Sequence, residues 1–285
     1  MKKEYSKPEK YSKIWKACQE SDVMKINDVK RQFAADCGIV GGNIKIGEAP
    51  SVEKGFFSDE SYGAAVRDAL FRRTGIQPRI YEGTSPFFRA IIMGNEYWIM
   101  ADRRITGWCE KEYLNRKNGL EWAGQFEELK RVNDMLRKYG HGILDCRISM
   151  LPGSGKTPDR ICGMEIQFMD SSEILEIRDP YPFRHALCDS TLMPCARAAA
   201  AIADGKIVGM AGATEDCETM WQIGVDVLPA WRGKGIGSGL VGVLKEKILE
   251  KGKIPFYSTS QTHIASMNTA LKAGFLPAWT EIFAK

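Results

Sequence analysis

The run from Trp221 to Leu240 constrains this chain more than any other stretch. Trp221, Ile223, Val225 and Val227 alternate with Gln222, Gly224 and Asp226, which predicts a strand with one buried face. Pro229 ends it, and a basic, glycine-rich turn follows, Arg232-Gly233-Lys234-Gly235-Ile236-Gly237. From Ser238 a helix is expected to run to Lys251, with Leu240, Val241, Leu244 and Ile248 on its apolar face and Gly252 as its stop. A strand, a glycine turn and a helix start form an anion site on physical grounds alone. The first helical turn has N–H groups without intrahelical acceptors and carries partial positive charge. Glycine lets a ligand come close to the backbone, so consecutive N–H groups can converge on a phosphate. Arg232 and Lys234 add formal charge to that cradle.

Composition narrows what surrounds this segment. At 285 residues the chain is expected to hold two domains, with a core large enough to need neither disulfides nor metals. With 44% hydrophobic and 27% charged residues, global disorder and collagen-like repeats are excluded. No run approaches the ~18–20 apolar residues of a membrane helix, and the start, Met1-Lys2-Lys3-Glu4, shows no secretory pattern. The net charge of +4 is small and dispersed, so neither a nucleic acid nor a membrane surface is expected as a partner. Eight cysteines without a CxxC pair, and three histidines not spaced for zinc, fit a reducing cytoplasm and no metal.

The N-terminal half reads as α/β. Ile14, Trp15, Ala17 and Cys18 suggest an early packed helix, and the glycines between Gly38 and Gly47 a turn. Ser61 to Arg73 is predicted helical, stopped by Gly75. Phe88–Met93 and Glu96–Met100 flank Gly94-Asn95, a hairpin pattern. Trp122, Phe126, Leu129, Val132, Leu136 and Tyr139 recur at helical spacing, with Glu127–Arg131 and Asp134–Lys138 as expected ion pairs and Gly140 as the stop. The segment Leu151 to Pro158 marks a boundary: residues 1–150 form an N-terminal α/β domain, 151–160 a linker and 161–285 a C-terminal domain. Gly155-Lys156-Thr157 imitates a P-loop end, but Met150 stands where its first glycine belongs, and Pro158 disfavours the helix it requires. Beyond it, Ile161–Met169 reads as a strand. Ala196 to Ala211 reads as a hairpin about Asp204-Gly205, despite the helical propensity of its alanines.

The spacing Arg232-x-x-Gly235-x-Gly237 resembles the acyl-CoA pyrophosphate signature of the GNAT N-acetyltransferase superfamily. Ile264-Ala265-Ser266 … Lys272-Ala273-Gly274-Phe275 looks like that family's second CoA-contacting segment. The agreement covers about 90 residues, from Ala196 to Lys285. It implies a C-terminal mixed central sheet flanked by helices, beside an N-terminal α/β domain that sets specificity or is a degenerate copy of the same fold. It also implies acetyl-CoA as co-substrate, held by Arg232, Gly233, Lys234, Gly235, Ile236, Gly237 and Ser238, with Val225, Val227 and Leu228 supplying backbone contacts where their strand splays from its neighbour. His263 replaces the usual Asn of the second segment, with Ser266 beside it. The tyrosine that often protonates the departing thiolate would fall on Ala270, which leaves Tyr257 and Ser266 as stand-ins.

The implied reaction is acetyl transfer to an amine of a small molecule, or of a peptide or protein. The rival reading is a non-catalytic acyl-CoA sensor that keeps the cofactor site. A lysine-like amine titrates near ~10.4, so a base is needed at neutral pH. Asp226 on the strand and Glu218 before it are the carboxylates considered. The elements preceding the CoA strand are short, so the N-terminal domain is expected to complete the acceptor pocket. A homodimer is left open.

Overall fold

The computed structural model describes residues 26–41, 45–52, 58–81, 83–114, 120–153, 164–177, 181–188, 190 and 192–285. Its first half contains α1 (Ile26–Asp36), β1 (Ile46–Glu48), α2 (Asp59–Thr74), β2 (Ser85–Met93), β3 (Glu96–Ala101), α3 (Thr106–Leu114), α4 (Phe126–Arg137) and β4 (Ile143–Pro152). The second half contains β5 (Glu165–Asp170), α5 (Ser171–Leu175), α6 (Arg184–Leu187), β6 (Cys195–Ala203), β7 (Lys206–Thr214), β8 (Met220–Val227), α7 (Ile236–Glu250), β9 (Ile254–Ser260), α8 (Ile264–Lys272) and β10 (Phe275–Ala284). The expected α/β class is found, in a mixed sheet flanked by helices.

Among the described residues, ten strands form one sheet in the order β1-β3-β2-β10-β4-β9-β8-β7-β6-β5. The last strand of the chain therefore lies between two strands of the first half: β10 is antiparallel to β2 on one side and to β4 on the other. In turn β4 separates β10 from β9, pairing Arg147–Met150 with Ser260–Tyr257.

Alternation along the strands builds two apolar layers. On one face, Val29 and Phe33 of α1 and Val66 and Leu70 of α2 pack on Ile91, Trp98, Phe256 and Trp279. On the other, Leu240, Val241, Leu244 and Ile248 of α7 pack on Ala199, Ala211, Ile223 and Phe275. Further along that second face, Cys109 of α3 and Val132 and Leu136 of α4 cover Phe88, Ala90 and Ile282. Met220 and Trp221, neighbours in β8, fall into opposite layers, as a period of two requires.

A buried ion network ties β10 to the first half. Arg79 is fully buried, with Nη2 2.6 Å from Asp36 Oδ2 and 3.0 Å from Glu281 Oε1. Arg89 Nη2 lies 2.7 Å from Glu281 Oε2, and its Nη1 donates to the Arg79 carbonyl at 2.6 Å. Trp279 Nε1 donates to Glu281 Oε1, also at 2.6 Å. Two guanidiniums and two carboxylates cancel in charge, which makes their joint burial tolerable.

Local signals hold well. Gly94 takes φ 59° in the β2–β3 turn, where Met93 faces Glu96. Asp204 and Gly205 both take positive φ, 51° and 69°, as a type I′ turn needs, so the alanine run is strand. Gly75 caps α2 at φ 69°.

Other expectations are corrected. α4 starts at Phe126, which is 76% exposed, and Trp122 precedes it in a separate short turn, so the apolar stripe is shorter than its periodicity suggests. Its ion pairs include Lys130–Asp134, Arg131–Glu128 and, across to α3, Arg131–Glu112. Leu151 and Pro152 complete β4. α7 begins two residues earlier than expected, at Ile236. Ile14 to Cys18 and residues 154–163, which include the Gly155-Lys156-Thr157 imitation, lie outside the described residues.

Candidate active site

The second half is organised around a parting of strands. β8 and β9 pair in parallel over Met220–Gln222 against Ile254–Phe256, and beyond that register they diverge. On its other side β8 stays paired with β7 up to Val227 opposite Gly209, and the Leu228 N–H donates to Val208 O at 2.9 Å. Bonded residues alternate in an antiparallel ladder, so residues 224, 226 and 228 turn their backbone groups toward β7. Residues 223, 225 and 227 turn theirs toward β9, and from Val225 onward they face the gap. The Val227 carbonyl accepts from Arg232 Nε at 2.9 Å. Val225 and Val227 thus turn backbone toward the gap, whereas the Leu228 N–H is used within the sheet.

At the mouth of the gap the chain makes the turn Pro229–Trp231 and enters α7 through Gly235, which is left-handed at φ 81°. Gly235 has no side chain to cap the helix. The N–H groups of Ile236, Gly237 and Ser238 therefore lack both an intrahelical acceptor and a side-chain cap. Ser238 Oγ turns back onto the Gly235 carbonyl at 3.0 Å. A Cβ on Gly237 would stand 3.4 Å from Val227 Cγ2 and 3.5 Å from Thr269 Cγ2, so this glycine brings α7 close to both the gap strand and α8. Arg232, Gly233 and Lys234 are exposed, and Lys234 Nζ stands 4.5 Å over the Trp231 ring.

Tyr257 and Ser266, proposed separately from sequence, meet: the phenol and Ser266 Oγ are 2.9 Å apart. Tyr257 follows the last residue of β9 that pairs with β8, and it points to the α7–α8 side, against Phe275. Burial holds its phenol pKa up, against the lowering effect of the Ser266 bond, and the Asp226 charge adds to the rise. His263 is the N-cap residue of α8, exposed and without a side-chain cap bond.

The two carboxylates fare differently. Glu218 stands before β8 at the closed end of the β8–β9 ladder, where its carbonyl accepts from Lys253 Nζ at 2.7 Å. At ~3.3 Å per residue, the strand carries it roughly 30 Å from Val227.

Asp226 lies at the gap but is not a bare carboxylate. Its Oδ2 accepts from the N–H groups of His185 (2.7 Å) and Ala186 (2.9 Å), and its Oδ1 is 2.8 Å from His185 Nδ1. α6 can come this close because Gly212 and Gly224 are cross-strand partners beneath it. A Cβ on Gly212 would lie 1.9 Å from the Ala186 carbonyl oxygen, and one on Gly224 1.9 Å from that of His185. None of Gly212, Gly224 and His185 was singled out from sequence. The pair of glycines becomes a signal only when the β7–β8 register is known.

A second concavity, of about 570 Å³, lies at the ends of β1, β2 and β3, with Phe87, Asp102, Arg103, Arg104 and His141 among its lining. Through Ser85 beside Ala284, Ala284 beside Ile143 and Arg147 beside Ser260, it shares a sheet end with the mouth of the gap.

An uncapped glycine-rich helix start beside a strand that leaves its neighbour is a geometry suited to a phosphate-bearing ligand with an extended arm. Residues 164–275 match the model of the acetyltransferase (GNAT) family, and the C-terminal part of the chain carries an acetyltransferase domain of that family. No curated protein sequence matches the chain.

Among solved structures, a putative GNAT-family acetyltransferase from Novosphingobium aromaticivorans is similar at 17% identity over 51% of this chain and 67% of its own, with a TM-score of 0.37. A GNAT-family acetyltransferase from Colwellia psychrerythraea is similar at 13% identity over 50% of this chain and 57% of its own, with a TM-score of 0.36. A putative acetyltransferase from Salmonella typhimurium, solved with acetyl-CoA, is similar at 17% identity over 43% of this chain and 92% of its own, with a TM-score of 0.32.

Proposed function

We propose that this protein transfers an acetyl group from acetyl-CoA to an amine of a small molecule. The observation that carries this reading is the continuity of two features within one segment: the backbone that Val225 and Val227 turn toward the gap, with the Val227 carbonyl held by Arg232 Nε, leads directly into the uncapped N–H groups of Ile236, Gly237 and Ser238. A pyrophosphate fits the second feature, with Arg232 and Lys234 adding charge. The amides of a pantetheine arm fit the first, pairing with strand backbone that would otherwise stay unpaired. His263 and Ser266, on the opposing start of α8, flank that path.

The chemistry then follows from the two faces of the gap. A backbone N–H of β8 turned toward the gap polarises the thioester carbonyl. The amine nitrogen attacks the acyl carbon, the N–C bond forms and the C–S bond breaks. Sulfur departs with the electron pair toward the Tyr257–Ser266 pair and leaves as a thiol. A thiol pKa of about 8.5 makes the thiolate a fair leaving group, so Ala270 in place of a tyrosine is no obstacle. The acceptor enters from the other face of the sheet, the one on which α1 and α2 of the first half pack. The protein acts in the cytoplasm on this reading.

Calorimetric titration with acetyl-CoA tests it, repeated with Gly235→Glu, which places a carboxylate and a strained left-handed backbone in the cradle. Loss of at least about 100-fold in affinity is expected, on the scale of a buried like-charge contact. Equal affinity in both proteins would end the cofactor assignment. Tight binding with no release of thiol across a panel of primary amines would favour a sensor.

A further inference from the structure

We infer that His185 is the general base of the transfer, with Asp226 as its positioning residue; the inference rests on the acetyl-CoA reading of the gap. Nδ1 of His185 lies 2.8 Å from Asp226 Oδ1. A carboxylate only accepts, so the proton of the neutral ring sits on Nδ1 and the Nε2 lone pair faces outward. The His185 side chain is 67% exposed, whereas that of Asp226 is 17% exposed. The acid is thus the more covered, fixed member of the pair and the imidazole the presented one.

The site is built for this. Three hydrogen bonds converge on Asp226, two of them from the backbone at the start of α6, so the carboxylate fixes both the helix and the ring. The glycine pair Gly212–Gly224 removes the side chains that would hold α6 off the sheet.

The location completes the argument. Asp226 sits between Val225 and Val227, whose backbone groups face the gap. Its side chain projects to the face opposite Tyr257 and α7, because residue 226 is out of phase with 225 and 227. A thioester in the gap is then flanked by two groups: Tyr257–Ser266 on the side where sulfur leaves, and His185 on the side where an amine can approach. As the nitrogen bonds the acyl carbon, Nε2 takes the proton that the nitrogen sheds. The imidazolium afterwards returns it to solvent, and the thiolate takes one to leave as CoA thiol. Proton, acyl group and electron pair all balance without a further reactant.

The full-length protein provides the test. Binding of acetyl-CoA is first measured by calorimetry. The three histidines are then mapped by diethyl pyrocarbonate modification and mass spectrometry, with and without saturating acetyl-CoA. His185 is expected to react in the free protein and to be protected about 10-fold by the ligand, while His141, stacked on Phe87 in the second concavity, stays equally reactive. Bound ligand with no protection of His185 overturns the inference while leaving the cofactor reading intact. No binding at all overturns the cofactor reading, and this inference with it.

With an amine that the wild type acetylates, His185→Gln is expected to lower kcat by ~10²–10⁴ with KM for acetyl-CoA within about threefold. Added imidazole should restore part of the rate in His185→Gly. Asp226→Asn turns an amide donor toward Nδ1, selects the wrong tautomer and should lower kcat comparably at unchanged acetyl-CoA affinity. An unchanged kcat in His185→Gln overturns the assignment. Where no amine in the panel is acetylated, the protection result decides, since it requires no acceptor.

Discussion

Neutralising Glu281 isolates the electrostatic half of the junction between the first and last parts of the chain. Glu281 is buried with Arg79, Arg89 and Asp36. Burial alone raises its pKa, but Arg79 and Arg89, with hydrogen bonds from Arg89 and Trp279, outweigh it and hold the carboxyl down, from 4.5 to about 2. A folded pKa below the unfolded one means that ionisation favours the folded state. That contribution is complete above about pH 4.5 and is lost as the pH falls through about 2. At 1.36 kcal/mol per pH unit the difference is worth about 3 kcal/mol. Glu281→Gln keeps the shape and leaves a net buried positive charge, so it should cost about 3 kcal/mol at pH 7, within the range for breaking a buried pair. Urea denaturation of both proteins at pH 7, 5 and 3 and constant ionic strength measures this. The gap between wild type and variant should fall to about half near pH 3. A penalty that stays constant from pH 7 to 3 would refute the reasoning, because it would arise from packing rather than from the ionised carboxylate.

Two other perturbations have distinct signatures. Burial pushes Asp216 up to about 6, against the lowering effects of the Thr214 hydrogen bond and Arg79, so its ionisation opposes folding. Asp216→Asn should match wild type below pH 3.8 and exceed it above pH 6, by up to about 3 kcal/mol in the same denaturation assay; no gain at pH 8 would contradict this. Gly224→Ala would set a methyl 1.9 Å from the His185 carbonyl oxygen. It should cost about 1–3 kcal/mol by overpacking and stretch the three bonds to Asp226, and an unaltered urea midpoint would show that α6 is not seated on the glycines.

What could be read in advance was local. Gly94-Asn95 and Asp204-Gly205 announce their hairpins because turn chemistry is a matter of two adjacent residues. The strand, loop and α7 could be read because alternation, glycine and helical spacing follow one another within thirty residues or so of continuous chain. The Tyr257–Ser266 contact was within reach, since a strand and the helix after it bring them together. His185 was not. It gains its meaning from Asp226, 41 positions away, through a register that no local signal states. The stripe from Trp122 to Tyr139 misled for the opposite reason: periodicity records where apolar residues stand, but whether a neighbour covers them is decided elsewhere.

The same distinction bears on the division of the chain near residue 150. A break in composition suggests that the C-terminal segment could be studied alone, yet the sheet order argues otherwise. β10 is flanked by β2 and β4, both from the first half, and β4 stands between β10 and β9. Removing residues 1–158 would strip β10 of both partners and open β9 beside the site. It would also remove Arg79, Arg89 and Asp36, the charged groups that surround Glu281 and tie β10 to the first half. Exposed strand edges of this kind promote association. The fragment Asp159–Lys285 is therefore expected to lack a cooperative urea transition and to aggregate, whereas the full chain unfolds cooperatively. If the fragment folds cooperatively and binds acetyl-CoA with full-length affinity, then β4 is dispensable to the gap. The first half would then have to act on the acceptor alone and not on the architecture that holds β8 and β9 apart.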